Sequence, residues 1–123
     1  MTHDELSIDL KAEDSGELVF RFRGSMDIAT SPTARGALSE AIDGGANKLI
    51  VDMRQLEFLD STGLGVLIGA HRRAAENGGS LRLIVSDGPI LRLLNITGLI
   101  SVFGAYHSLD DARKDRNRLG TSF

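Results

Sequence analysis

No cysteine occurs in the chain. That excludes disulfides, thiolate nucleophiles and thiolate metal ligands together, and it suits a reducing compartment. Long apolar runs are missing too. The longest nearly apolar stretch, residues 63–70, falls far short of the roughly 18 residues that a membrane span needs. The polar, acidic start Met1-Thr2-His3-Asp4-Glu5 leads into no signal core. A cytoplasmic protein with no membrane partner is the expectation. Basic charge is not in excess: 14 Lys+Arg against 17 Asp+Glu give a formal net charge of −3. The basic residues alternate with acidic ones along the sequence, so no direct nucleic-acid partner is expected. Repeats, low-complexity tracts and internal linkers are also lacking.

What is present suits one soluble domain. Apolar residues make up 41% and charged residues 25% of 123 residues, enough to bury a core and too short for two. The domain is expected over residues 1–115. The tail over 116–123 offers little to anchor it and is expected to fray.

Leu6, Ile8 and Leu10 alternate with Ser7, Asp9 and Lys11, the period of a half-buried strand. After the turn Glu13-Asp14-Ser15-Gly16, the alternation resumes with Leu18, Phe20 and Phe22, predicting an antiparallel pair. Ser31-Pro32 predicts a helix start with Ser31 as cap, and Gly44-Gly45 its end. Its inward side is Ala34, Leu38, Ala41 and Ile42. Residues 48–53 read as a central strand covered on both faces.

A helix is predicted over residues 61–76, with Leu64, Leu67, Ile68, Ala74 and Ala75 as its apolar stripe. Leu81, Leu83 and Val85 give a strand, and Asp87-Gly88-Pro89 opens a short helix. Residues 102–106 are a last strand candidate. Ser108 and Asp111 have capping-box spacing before a final helix. The order β-β-α-β-α-β-α-β-α predicts an α/β fold, a mixed sheet with helices packed on it.

Chemistry concentrates in Asp60-Ser61-Thr62-Gly63-Leu64-Gly65, where a strand hands over to a helix. A helix N-terminus offers unpaired amides and partial positive charge, which compensate an anion. Gly63 and Gly65 keep the surface low for another protein's approach, although each glycine costs a helix about 1 kcal/mol against alanine. A purely structural reading also fits: hydroxyls that cap, and glycines that let the helix lie close to the sheet. The motif is too short to decide between them.

From Gly24 onward the chain resembles the STAS domains of bacterial anti-sigma factor antagonists. The resemblance rests on Gly24-Ser25-Met26-Asp27 before Pro32, Leu49-Ile50-Val51-Asp52-Met53, the 60–67 segment, and Leu93-Leu94-Asn95-Ile96-Thr97-Gly98-Leu99. It implies the STAS-type mixed sheet and no enzymatic activity. It also implies that Ser61 is phosphorylated by a partner that is both anti-sigma factor and serine kinase. The unmodified antagonist binds that partner and frees the sigma factor, and a serine phosphatase resets the switch. Asp27, Asp60, Ser61, Thr62, Gly63, Leu64 and Gly65 are the partner-binding residues so implied, with Thr62 the alternative acceptor. Ser25 stands where the family commonly has glutamate, which weakens any role for position 25. A non-switching STAS subunit of a transport or stressosome-like assembly is the alternative.

Other chemistry finds no support. Asp27, Asp52 and Asp60 are separated aspartates at strand ends, turn formers and caps rather than a magnesium site. His71, within the apolar stripe, reads as a hydrogen-bonded core residue, and His3 and His107 have no sequence-local partners. No Lys-Ser/Thr pair follows the glycines, so they make no P-loop. Arg72 and Arg73 read as solvated. No cofactor and no metal are expected.

Overall fold

The computed structural model describes residues 5–120 of the chain. The alternating segments form β1 (Leu6–Ala12) and β2 (Leu18–Met26), followed by α1 (Ser31–Asp43), β3 (Lys48–Leu59) and α2 (Ser61–Glu76). Then come β4 (Ser80–Ile84), α3 (Pro89–Thr97), α4 (Ile100–Phe103), β5 (Ala105–Tyr106) and α5 (Leu109–Lys114). One five-stranded sheet has the order β1-β2-β3-β4-β5. The β1–β2 pair is antiparallel, and the later pairs are parallel. The predicted mixed α/β sheet is the fold observed.

Sequential strand order fixes where the helices go. Right-handed crossovers that always step in the same direction set their helices on the same face of the sheet. Leu38 and Ile42 of α1, Leu64 and Leu67 of α2, Leu94 of α3 and Phe103 of α4 accordingly share one core with Phe20, Phe22, Val51 and Leu83. The opposite face is covered only in part. There Val19, Ile50, Ile84 and Tyr106 pack under Ala112 and Leu109 of α5.

Several boundaries depart from expectation. Strand β3 does not stop at Met53 but continues to Leu59, because its second half pairs with β2 through Gly24↔Leu56 and Ser25↔Phe58 across irregular register. The strand predicted over 102–106 shrinks to Ala105–Tyr106. Gly98 closes α3 in the left-handed conformation at φ 75°. The chain then takes a single helical turn that buries Ile100 and Phe103, three residues apart. Thr30, not Ser31, is the residue before α1, and Ser31 is buried. On α2, Val66 and Ala70 are buried, whereas Ala75 is exposed. Leu10, expected inward, is 57% exposed on the edge strand.

Half of the expected capping box is observed: the Ser108 hydroxyl accepts from the Asp111 amide at 3.1 Å, while the Asp111 carboxylate accepts from the Asn117 side-chain amide at 3.2 Å. Residues of the segment over 116–123 make contacts with the rest of the chain. The Leu119 amide donates to Ala105 O at 2.8 Å, and Arg116 bridges to Asp110 at 2.8 Å. Residues 121–123 and His3 lie outside the described residues. Among the described residues no helix is long and apolar enough to cross a membrane.

Candidate functional site

The C-terminal ends of β2 and β3 meet at one point. The Asp60 amide donates to Met26 O at 3.2 Å, so the loop after β2 and the start of α2 are tied together. Asp60 has extended backbone angles and its carboxylate accepts from the Gly63 amide at 3.0 Å, which makes it the N-cap of α2. Ser61 is therefore the first helical residue rather than the cap, and its side chain is exposed. Thr62 is half-buried.

The two glycines separate by role. A Cβ on Gly63 would stand 2.7 Å from Leu59 Cδ1 and 3.0 Å from Met26 Cγ and O, so the helix lies close to the sheet there and a methyl would press on both neighbours. A Cβ on Gly65 would meet nothing within 4 Å, and the residue is exposed. Leu64 is buried and belongs to the core. Of the predicted partner-binding residues, Gly63 and Leu64 thus shape the site from beneath. Ser61 and Gly65 lie on its exposed surface, with Asp60 and Thr62 half-buried beside them.

Asp27 lies in the adjoining loop, but its carboxylate turns back on that loop. Its Oδ1 accepts from the amides of Ala29 at 2.9 Å and Thr30 at 3.0 Å. The Thr30 hydroxyl donates to Ser25 O at 2.8 Å and accepts from the Asp27 amide at 2.9 Å. This Asx-type turn presents Ile28 outward at 76% exposure. Phe58, paired in register with Ser25, is 51% exposed at the same end of the sheet. Apolar spacing gives no sign of these two side chains. An aliphatic residue inside a polar turn is the signal that could have found Ile28; Phe58 keeps strand spacing with buried Leu56, so the sequence holds no sign of its exposure.

The remaining candidates sit elsewhere. Asp52 is buried on the less covered sheet face, bound to Arg54 at 2.8 Å and near Arg21 at 3.8 Å. Burial works to raise its carboxyl, but the hydrogen bonds from Arg54, and the charges of Arg54 and Arg21, outweigh it and hold the group below the usual range. His71 is half-buried, accepts from the Leu81 amide at 3.4 Å and meets the Phe103 ring edge-on. His107 pairs with Asp87 at 3.0 Å. Arg73 is bound to Asp43 across the α1–α2 gap at 2.5 Å, whereas Arg72 is exposed. Among the described residues, no group of three or more His, Cys, Asp or Glu could hold a metal ion.

An exposed serine at the head of a helix, set against an Asx turn at the ends of parallel strands, defines a class. The STAS domain family profile matches residues 8–112, and the chain belongs to that family. Its relatives narrow the class. An anti-sigma F factor antagonist of Paenibacillus polymyxa is 32% identical over 74% of this chain and 79% of its own length. An anti-sigma-B factor antagonist of Bacillus subtilis is 31% identical over 76% of this chain and 84% of its own length. The crystal structure of an anti-sigma factor antagonist from Mycobacterium paratuberculosis superposes with a TM-score of 0.83 at 26% identity, covering 91% of this chain and 94% of that one.

Proposed function

We propose that this protein is an anti-sigma factor antagonist whose activity is switched at Ser61. Unmodified, it binds an anti-sigma factor that is also a serine kinase. Phosphorylation of Ser61 releases that partner, and a serine phosphatase restores binding. The chain is then a binding module and a kinase substrate, not a catalyst. One observation carries the reading: Asp60 performs the capping, which leaves the Ser61 hydroxyl exposed with no structural duty. The names of the relatives support the partner class.

The energetics favour a switch without refolding. A phosphate adds about −1.5 to −2 charges at one point. The partial positive charge of the α2 N-terminus compensates part of it, so the fold tolerates the group. In a docked interface the phosphate would lie next to the Asp60 carboxylate and lose its hydration. Repulsion and desolvation can each cost several kcal/mol, while about 1.4 kcal/mol is already tenfold in affinity. Exposed Ile28 and Phe58, at the same end of the sheet, supply apolar contact for the unmodified state.

The test is to incubate the protein with candidate anti-sigma kinases and ATP, map the modified residue by mass, and measure partner affinity. Ser61→Ala is expected to bind constitutively and Ser61→Asp weakly. Equal affinity for wild type and both variants would remove the switch. Modification at Thr62 instead would move the acceptor.

A further inference from the structure

The less covered sheet face carries cations at both ends. Toward the Ser61 end, three arginines share two carboxylates: Asp52 lies 2.8 Å from Arg54 and 3.8 Å from Arg21, and Asp9 lies 3.3 Å from Arg23. Toward the other end, two cations stand without an ion pair among the described residues. Lys48 and Arg82, on β3 and β4, make no ion pair with a described residue, and Arg82 spends one hydrogen bond on Ala112 O at 2.7 Å. Arg113 of α5 lies 3.9 Å from Glu13 and also interacts with the Asp110 charge, and its Nε is buried without a hydrogen-bond acceptor among the described residues.

These three cations line one cavity of about 360 Å³, together with Ser80 and Glu17. Its size falls within the range of small-molecule sites. Glu17 is the one carboxylate of the lining, and it already accepts from the Ser15 hydroxyl at 2.5 Å. The lining therefore carries excess positive charge in a protein whose formal net charge is −3. Fixed positive charges gathered around a concave space suit a multiply charged oxyanion.

We propose that this cavity is a binding site for a small phosphorylated molecule. Lys48, Arg82 and Arg113 take the phosphate, and the Ser80 hydroxyl and the Glu17 carboxylate lie within reach of a hydroxyl on the rest of the ligand. The site is separate from the switch. Strand β3 runs from Lys48 to Leu59, so at about 3.3 Å per residue the cavity and Ser61 lie on the order of 30 Å apart. The proposal stands whether or not Ser61 is phosphorylated.

The experiment is an amide NMR titration of the ¹⁵N-labelled full chain at constant ionic strength. Inorganic phosphate and glycerol 3-phosphate are the probes, and chloride is the control. Saturable shifts confined to Gly78, Gly79, Ser80, Arg82 and Arg113 are expected with phosphate probes and not with chloride. Tighter binding of glycerol 3-phosphate than of phosphate supports the organic ligand. Equal binding overturns the role given to Ser80 and Glu17. Lys48→Gln removes an exposed cation with no hydrogen bond to lose, so it should fold normally and weaken binding roughly tenfold or more, and Lys48→Arg should restore most of it. Non-saturating shifts, shifts matched by chloride, or unchanged affinity in Lys48→Gln overturn the site.

Discussion

Alanine at position 63 and alanine at position 65 should move stability in opposite directions, although the same methyl is added to the same helix two residues apart. Replacing a helical glycine by alanine gains up to about 1 kcal/mol through propensity. At position 65 nothing opposes that gain, because the new methyl would have no neighbour within 4 Å. At position 63 it would stand 2.7 Å from Leu59 Cδ1 and 3.0 Å from the Met26 carbonyl oxygen, well inside the ~3.5–4.0 Å of ordinary contact. Leu59 and Met26 are both buried and cannot swing into solvent. Overpacking of this kind costs about 1–3 kcal/mol, so Gly63→Ala should lose about 1 kcal/mol net, and Gly65→Ala should gain several tenths to 1. Urea unfolding followed by far-UV circular dichroism resolves this. With slopes of about 1–3 kcal/mol per molar, the two midpoints should separate by roughly 1 M around wild type. Midpoints that shift together, or a Gly63→Ala midpoint equal to wild type, would refute the close approach of α2 to the end of β2. The same pair reads out binding. Gly65→Ala, although better folded, should dock its partner less well, because the methyl stands on the exposed face one turn from Ser61.

Other outcomes follow from the remaining contacts. Asp60→Ala removes the acceptor for the Gly63 amide and should cost about 1 kcal/mol in urea unfolding; Asp60→Asn should recover most of it. Ile28→Ser with Phe58→Ser removes two exposed side chains, so stability should change by less than about 0.5 kcal/mol per site while partner affinity, measured by calorimetry, falls severalfold. The Tyr106 hydroxyl is pushed up to about 12 by burial and by its hydrogen bond to Asp115. A raised value means its contribution is complete below 10.0 and is lost as pH rises toward 12. Tyr106→Phe should be less stable at neutral pH and lack that alkaline decline in pH-dependent unfolding. Asp52 is held below 3.8, so its contribution is present above that value and lost as pH falls through the lowered one. Asp52→Asn should lower stability at pH 7 and flatten the acid limb of the same measurement.

Local chemistry made much of the fold legible. The span of α2, the glycine end of α1 and the Ser108 cap of α5 each depend on residues a few positions apart. What escaped depends on distant partners. The Thr30 hydroxyl is drawn to the Ser25 carbonyl, so α1 starts without the serine cap that its sequence offers. The second half of β3 is a strand only because β2 lies beside it. Helical burial of Ile100 and Phe103 overrides the strand preference of the valine and aromatic residues there. At the candidate site the serine was readable, but the division of labour was not. Sequence offers the hydroxyls of Ser61 and Thr62 as capping groups and treats Gly63 and Gly65 alike. Only the hydrogen bond to the Gly63 amide gives the cap to Asp60, and only the distances around each glycine separate the two.

The two borders of the sheet bear on how the chain behaves in a crowded solution. Strand β5 is only Ala105–Tyr106 and is packed beside α5, so it offers too short a ribbon for a stray chain to add to. The opposite border, β1, carries Asp9 and Lys11, charges that a flat intermolecular ladder would have to strip of water. Copies held at high concentration are thereby discouraged from zipping edge to edge into aggregates, even though Leu10 lies open to solvent on that border.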